Sequence, residues 1–211
     1  MGPPGVGKGT QAAQMQVLLG VPHVSTGNIL RVAIQQEGSP LGSEVKRFVE
    51  SGRLVPDALM GDLIAERLER KDSAAGFILD GFPRTVEQIG ILDGVLGRLG
   101  LELDRVLMLK VPESEIVRRL SGRRTCPSCA AVFHLESRPP AVAGVCDACG
   151  AVLVQRPDDT EQVIRQRMKV YADQTLPVAE AYRSRGLLVE IDGIGEIDAV
   201  RGRLTSSLGT V

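Results

Sequence analysis

Gly2-Pro3-Pro4-Gly5-Val6-Gly7-Lys8-Gly9-Thr10 stands at the head of the chain and governs the reading of the rest. Glycines at this density let successive backbone N–H groups turn inward around an anion. The helical pattern that follows Thr10 aims its positive end at the same point. Lys8 is placed to reach the outer phosphates of a nucleotide, and the Thr10 hydroxyl to sit on a magnesium ion. The general phosphate loop has Ser or Thr directly after its lysine, whereas Gly9 intervenes here. A second stretch supports the first. Phe77-Ile78-Leu79-Asp80 is an apolar run ending in a carboxylate, where a phosphate-loop enzyme needs an acid for its magnesium shell.

Outward from these two points, short apolar runs alternate with longer helical patterns, the sign of a parallel α/β sheet. The expected strands are 21–24, 77–80, 105–111 and 187–192. Leu59, Leu63 and Leu68 share one helical face, and Ile164, Met168 and Tyr171 recur at helical spacing over 164–175. Thr85-x-x-Gln88 and Asp159-x-x-Gln162 both fit capping boxes. Two segments break the rhythm and read as insertions. One, from about 25 to 55, is helical in pattern and punctuated by Gly38, Pro40, Gly42 and Gly52. The other, from about 122 to 157, holds all the cysteines, Pro139-Pro140 and several short β-type runs.

Composition narrows the classes. Of 211 residues, 43% are hydrophobic and 24% charged, which suits an ordinary globule with a real core. The formal net charge is −1, so a polybasic nucleic-acid binder is not expected. Aromatics are 3% with no Trp, which argues against a stacking platform for single-stranded bases. No apolar run approaches the roughly 18 residues that span a bilayer, and the N-terminus lacks the charged flank and apolar core of a secretory signal. The chain reads as cytoplasmic, with no membrane partner. Its four cysteines form two tight pairs, Cys126-x-x-Cys129 and Cys146-x-x-Cys149, separated by sixteen residues. That spacing falls within the four-cysteine zinc pattern, a closed tetrahedron of thiolates suited to structure and not to catalysis. His134 is not expected to be a ligand, since four thiolates suffice.

Taken together, these residues resemble the adenylate kinase family through nearly the whole chain, and the cysteine segment resembles the zinc-bearing lid of one bacterial branch. The phosphate loop matches, including Gly9. So do Ser25-Thr26-Gly27 with Arg31, Gly52 through Asp57, Asp80 through Arg84 with Gln88, Ser121 through Arg124, and Arg156 through Asp159 with Arg167. The resemblance implies a phosphate-loop kinase fold: a parallel five-stranded sheet flanked by helices, its first strand absent from the sequence. The core would be 1–24, 55–121 and 157–211, with an AMP-binding insertion at 25–54 and a lid at 122–156. It implies magnesium-dependent transfer of the ATP γ-phosphoryl group to AMP, giving two ADP, by a monomer. ATP would meet Gly5, Val6, Gly7, Lys8, Gly9, Thr10, Arg119, Arg123, the backbone of Val132 and Phe133, and Gly195. AMP would meet Thr26, Arg31, Arg53, Leu54, Val55, Gly81, Phe82, Pro83, Arg84, Gln88, Arg156 and Arg167. Lys8, Arg84, Arg119, Arg123, Arg156, Arg167 and Asp80 would carry the chemistry, Asp80 and Thr10 by organising magnesium. Cys126, Cys129, Cys146 and Cys149 would hold zinc. The chain departs from the family's usual residues at Asn28 (Asp is usual), Ile89 (a small residue) and Phe133 (Tyr).

Two rival readings remain open at this stage. The acceptor could be UMP, CMP or GMP on the same fold, or the cysteine segment could be a zinc ribbon that binds nucleic acid. Basic and aromatic residues should then decorate the knuckles, yet only Arg138, Phe133 and His134 fall between Cys129 and Cys146. A phosphate loop is normally aimed by the strand before it, and only Met1 precedes Gly2. Met1 is therefore expected to be the last residue of a missing strand, and an aliphatic run restored before it is expected to raise melting temperature and activity.

Overall fold

The structure, a computed structural model, describes residues 1–36 and 39–209. Gly38, one of the expected breaks, lies outside them. After the phosphate loop come α1 (Lys8–Leu19), β1 (His23–Ser25), α2 (Thr26–Gln35), α3 (Pro40–Glu50), α4 (Asp57–Leu68), β2 (Ile78–Asp80) and α5 (Val86–Leu99). The second half runs β3 (Val106–Lys110), α6 (Glu113–Ser121), β4 (Arg123–Thr125), β5 (Val132–His134), α7 (Glu161–Val170), α8 (Leu176–Ser184), β6 (Leu188–Asp192) and α9 (Ile197–Ser207). No described helix is long and apolar enough to cross a membrane.

All four expected core strands form, and they pair in parallel. Val24 stands opposite Leu79, and Met108 opposite Glu190. In place of one five-stranded layer there are two parallel pairs, β1 with β2 and β3 with β6. The other edge of β3 is occupied by a single residue: the Met1 amine donates to Leu107 O, and Leu109 N donates to Met1 O at 3.0 Å. Around β1 and β2, Val24, Met60, Ile64, Leu68, Leu92 and Leu96 bury one cluster that locks α4 and α5 onto the strands. A second cluster joins the phosphate loop and α1 to β3, β6 and α9 through Val6, Met15, Leu109, Ile191, Val200 and Leu204. Each such side chain contributes about 1.5–3 kcal/mol when fully buried. The phosphate loop is thus anchored through Val6 to the same core as the strands.

Three local readings need correction. Gly42 does not interrupt the helix but lies inside α3, where a Cβ would come 2.3 Å from the Ala33 carbonyl oxygen; glycine is what lets α2 and α3 approach. Asp159 does not cap α7. Thr160 occupies that position without a side-chain bond, because the Asp159 carboxylate is taken by Arg123. The helical run expected over 164–175 widens into a π-helical turn at Tyr171–Thr175 before α8. Pro177 accounts for it: proline has no N–H to donate and its ring crowds the carbonyl four residues back, so the turn must open.

Between α6 and α7 the chain forms a small β-rich lobe. Strands β4 and β5 are antiparallel, bridges join Thr125 to Val154 and Val145 to Val152, and Cys126, Phe133, Cys146 and Leu153 make its core.

Candidate active site

Gly5 and Gly7 both adopt positive φ, 80° and 102°, a region that L side chains rarely enter. At Gly5 a Cβ would also lie 2.6 Å from Leu120. The loop therefore curls as only glycine permits, and α1 starts directly behind it. Lys8 Nζ folds back on the loop, donating to Gly2 O at 2.7 Å and Pro3 O at 2.9 Å. Burial depresses its pKa to about 8, aided by Arg84, Arg167 and Arg123 and opposed by Asp80. Burial alone would raise the Asp80 carboxyl. The hydrogen bond from His23 and the charges of Lys8 and His23 outweigh that and bring it down to about 2.

Two concavities meet at this point. The larger is lined by Gly5 through Thr10, Asp80, Arg119, Arg123, Val132, Phe133, Arg156 and Gly195. The smaller is lined by Thr26, Arg53, Leu54, Val55, Gly81 through Arg84 and Gln88. Lys8, Arg31, Arg84 and Arg167 line both. The expected ATP contacts all line the larger cavity and the expected AMP contacts the smaller, except Arg156, which lines only the larger; the cations shared between the two sit at the junction.

Each arginine is held by a partner. Arg119 reaches Glu115 at 2.7 Å, Val6 O at 3.1 Å and Gly193 O at 3.2 Å, tying α6 to the phosphate loop. Arg123 grips Asp159 with Nε and Nη2, and Arg167 bonds Asp158 at 2.7 Å. Arg84 Nε donates to Gly81 O at 2.7 Å, Arg31 to Asn28 Oδ1 at 2.6 Å, and Arg156 Nε to Thr125 Oγ1 at 2.8 Å. Burial lowers Arg156 to about 9, helped by the neighbouring Arg123 and Arg31. Arg118 and Arg165 instead form exposed ion pairs with Glu115, Glu136 and Glu161, the solvated role that fits their helix faces.

Several contacts of the site have no signal in the sequence. His23 Nε2 lies 3.4 Å from Asp80 Oδ2, Asp57 binds Gln88 and Thr85, and Asp158 with Asp159 holds the arginines. Asp57, Asp158 and Asp159 lie inside matched motifs, but their pairing with these partners, like that of His23 with Asp80, is visible only in the folded chain. Thr26 Oγ1 donates to Asp80 O at 3.2 Å, joining the two expected motifs.

In the β-rich lobe the four cysteine sulfurs lie within 4.8 Å of one another. The shortest contacts cross between the knuckles, Cys126 to Cys149 at 3.4 Å and Cys129 to Cys146 at 3.5 Å. Four soft donors converging from two Cys-x-x-Cys turns fit a closed thiolate metal site. The His134 ring is committed elsewhere: Nδ1 accepts from Glu136 N and Ser137 N, and Nε2 lies 3.3 Å from Arg118 O.

The sequence model of the Adenylate kinase family matches residues 1–187. Curated relatives cover both chains almost fully. A protein named Adenylate kinase from Syntrophobacter fumaroxidans is 47% identical over 99% of this chain and 98% of its own length. One of the same name from Moorella thermoacetica is 49% identical over 99% and 96%, and one from Kosmotoga olearia 47% over 99% and 96%.

Proposed function

The chain belongs to the adenylate kinase family, and we propose that it carries out reversible, magnesium-dependent phosphoryl transfer from ATP to AMP with the residues assembled above. The observation that carries this is the meeting of two concavities at Lys8, Arg31, Arg84 and Arg167. ATP occupies the larger, with its adenine by Gly195 and Val132-Phe133 and its phosphates on Gly5 through Thr10. AMP occupies the smaller, with its base by Gln88 and the 53–55 backbone. The acceptor is already an ionised phosphate, so no general base is required; what the reaction asks for is alignment and charge neutralisation. Guanidinium groups suit this, since their planar fork binds two oxygens at once. Arg119 aligns the donor phosphates against the loop, and Arg123, Arg156 and Arg167 move from their acidic or hydroxyl partners onto phosphate oxygens. Asp80 and Thr10 would hold the magnesium ion that travels with ATP and supplies charge neutralisation on its outer phosphates.

We assign 25–54 as the AMP-binding insertion and 122–156 as the lid on a core of 1–24, 55–121 and 157–211. Closure over both nucleotides excludes water, which would otherwise waste ATP. Such lids are the general device for this purpose. We further infer that Cys126, Cys129, Cys146 and Cys149 hold one structural zinc ion. Metal supplies what the small lobe core cannot. Cys129→Ser should lower the melting temperature and reduce bound zinc below one per chain, measured by scanning calorimetry and elemental analysis; full zinc retention contradicts the assignment. Four unpaired thiolates suit a reducing compartment, which is consistent with a cytoplasmic protein.

The stoichiometry tests the reaction: two ADP should appear for each AMP consumed, and hydrolysis to one ADP per ATP without AMP loss would refute it. Lys8 adds a pH signature. Its charged form stabilises the transferring group, and its pKa is lowered to about 8 by burial. The rate constant kcat/KM reports the free enzyme and should therefore fall as pH rises through about 8. The stability effect has the opposite sign. The unfolded chain holds this proton up to the usual lysine range, so Lys8's contribution to stability increases with pH above about 8.

A further inference from the structure

The smaller cavity is closed on one side by Gln88, 2% exposed, whose amide is held at both ends. Its Nε2 donates to Asp57 Oδ1 at 2.7 Å, and its Oε1 accepts from the Arg84 backbone N–H at 2.7 Å. A carboxylate accepts and a backbone N–H donates, so these two partners admit a single orientation of the amide. The carboxylate is itself fixed: Thr85 Oγ1 donates to Asp57 Oδ2 at 3.0 Å while accepting from Gln88 N at 3.2 Å to cap α5. Asp57 begins α4, so the clamp spans two helices and the turn between β2 and α5.

We propose that Asp57 is a positioning residue that sets the base specificity of the acceptor pocket, by locking the Gln88 amide in the orientation that reads a 6-aminopurine and rejects a 6-oxopurine. This rests on the reading of the smaller cavity as the acceptor-nucleotide pocket. With one N–H and one oxygen lone pair committed to the protein, Gln88 retains one donor on Nε2 and one acceptor on Oε1. That pair complements adenine, whose N1 accepts and whose 6-amino group donates. Hypoxanthine presents the reverse, a protonated N1 and a carbonyl O6. To match it the amide must flip, which sets Nε2 against the Arg84 N–H and Oε1 against the Asp57 carboxylate. Sites with buried polar groups reject mismatched ligands strongly because those groups are left unpaired.

The test compares kcat/KM for AMP and for IMP, at saturating ATP, in the wild type, Asp57→Asn and Gln88→Leu. An asparagine at position 57 can turn either its oxygen or its amine toward Gln88, so half of the lock is removed with no change of size. The AMP-to-IMP ratio should fall roughly tenfold or more in Asp57→Asn, the scale of one hydrogen bond to a charged group. Each ratio is measured on one preparation, so the concentration of active enzyme cancels and partial misfolding cannot imitate the result. Should that variant not fold at all, Thr85→Val releases the same carboxylate and should shift the ratio in the same direction. A wild-type ratio in the Asp57 variant beside a collapsed ratio in Gln88→Leu overturns the positioning role and leaves the pocket reading intact. A wild-type ratio in Gln88→Leu overturns both.

Discussion

Lys8→Met should reduce turnover at least 10²–10³-fold, the scale seen when one transition-state donor is removed, while the protein remains folded. The side chain is half-buried at the junction of the two cavities, and its desolvation there already depresses its pKa to about 8. Holding a cation there costs folding free energy, and methionine fills similar space without that cost. What is lost is a pair of hydrogen bonds to Gly2 O and Pro3 O. The two effects oppose each other, so the melting temperature should stay within a few degrees of the wild type. Turnover and a thermal melt on the same preparation check both halves. A variant that turns over normally would remove Lys8 from the chemistry, and one that unfolds would make it a structural residue.

The contrast between Lys8 and its neighbours explains what could be read from the sequence. Gly5, Gly7 and Lys8 are legible because the constraint is local: backbone curvature demands glycine, and the lysine follows at fixed spacing. The strands at 23–25, 78–80, 106–110 and 188–192 were legible because each is a short apolar run between turn signals. The four cysteines announce themselves by spacing. His23 and Asp57 do not. Their partners, Asp80 and Gln88, lie 57 and 31 residues away, and only the folded topology joins them. Asp159 misleads for a related reason: locally it resembles a helix cap, but a bidentate guanidinium outcompetes a backbone N–H for its carboxylate. Gly42 misleads because glycine signals a break unless a neighbouring helix requires the missing Cβ. The π-helical turn at 171–175 needed Pro177 to be weighed against the helical pattern before it.

Asp159→Ala should be the most destabilising single change in the site. The carboxylate has no solvent exposure and faces Arg123, with Arg167 at 3.5 Å. Removing one partner of a buried pair leaves a charge uncompensated, at about 3–5 kcal/mol. Arg123 is 18% exposed and gains some relief from water, so the lower end of that range is expected. At about 2–4 °C per kcal/mol for a chain of this size, the melting temperature should drop by roughly 6–12 °C. The deficit should shrink when both nucleotides are bound, because phosphate oxygens then take the place of the missing carboxylate and binding stabilises the folded state. Calorimetric melts with and without ATP and AMP measure both numbers. A variant as stable as the wild type, or a deficit that nucleotides do not reduce, would mean that Asp159 does not hold the phosphate-binding arginines in reserve.

The proposal that two nucleotide pockets meet on a shared set of cations, with AMP as the acceptor, is checked by coupled measurement of ADP formation from MgATP with AMP, UMP, CMP, GMP and IMP as acceptors. AMP should give the highest kcat/KM by a wide margin, and activity should vanish when magnesium is chelated. A clear preference for UMP, CMP or GMP, or a folded protein that transfers nothing to AMP, would contradict the account.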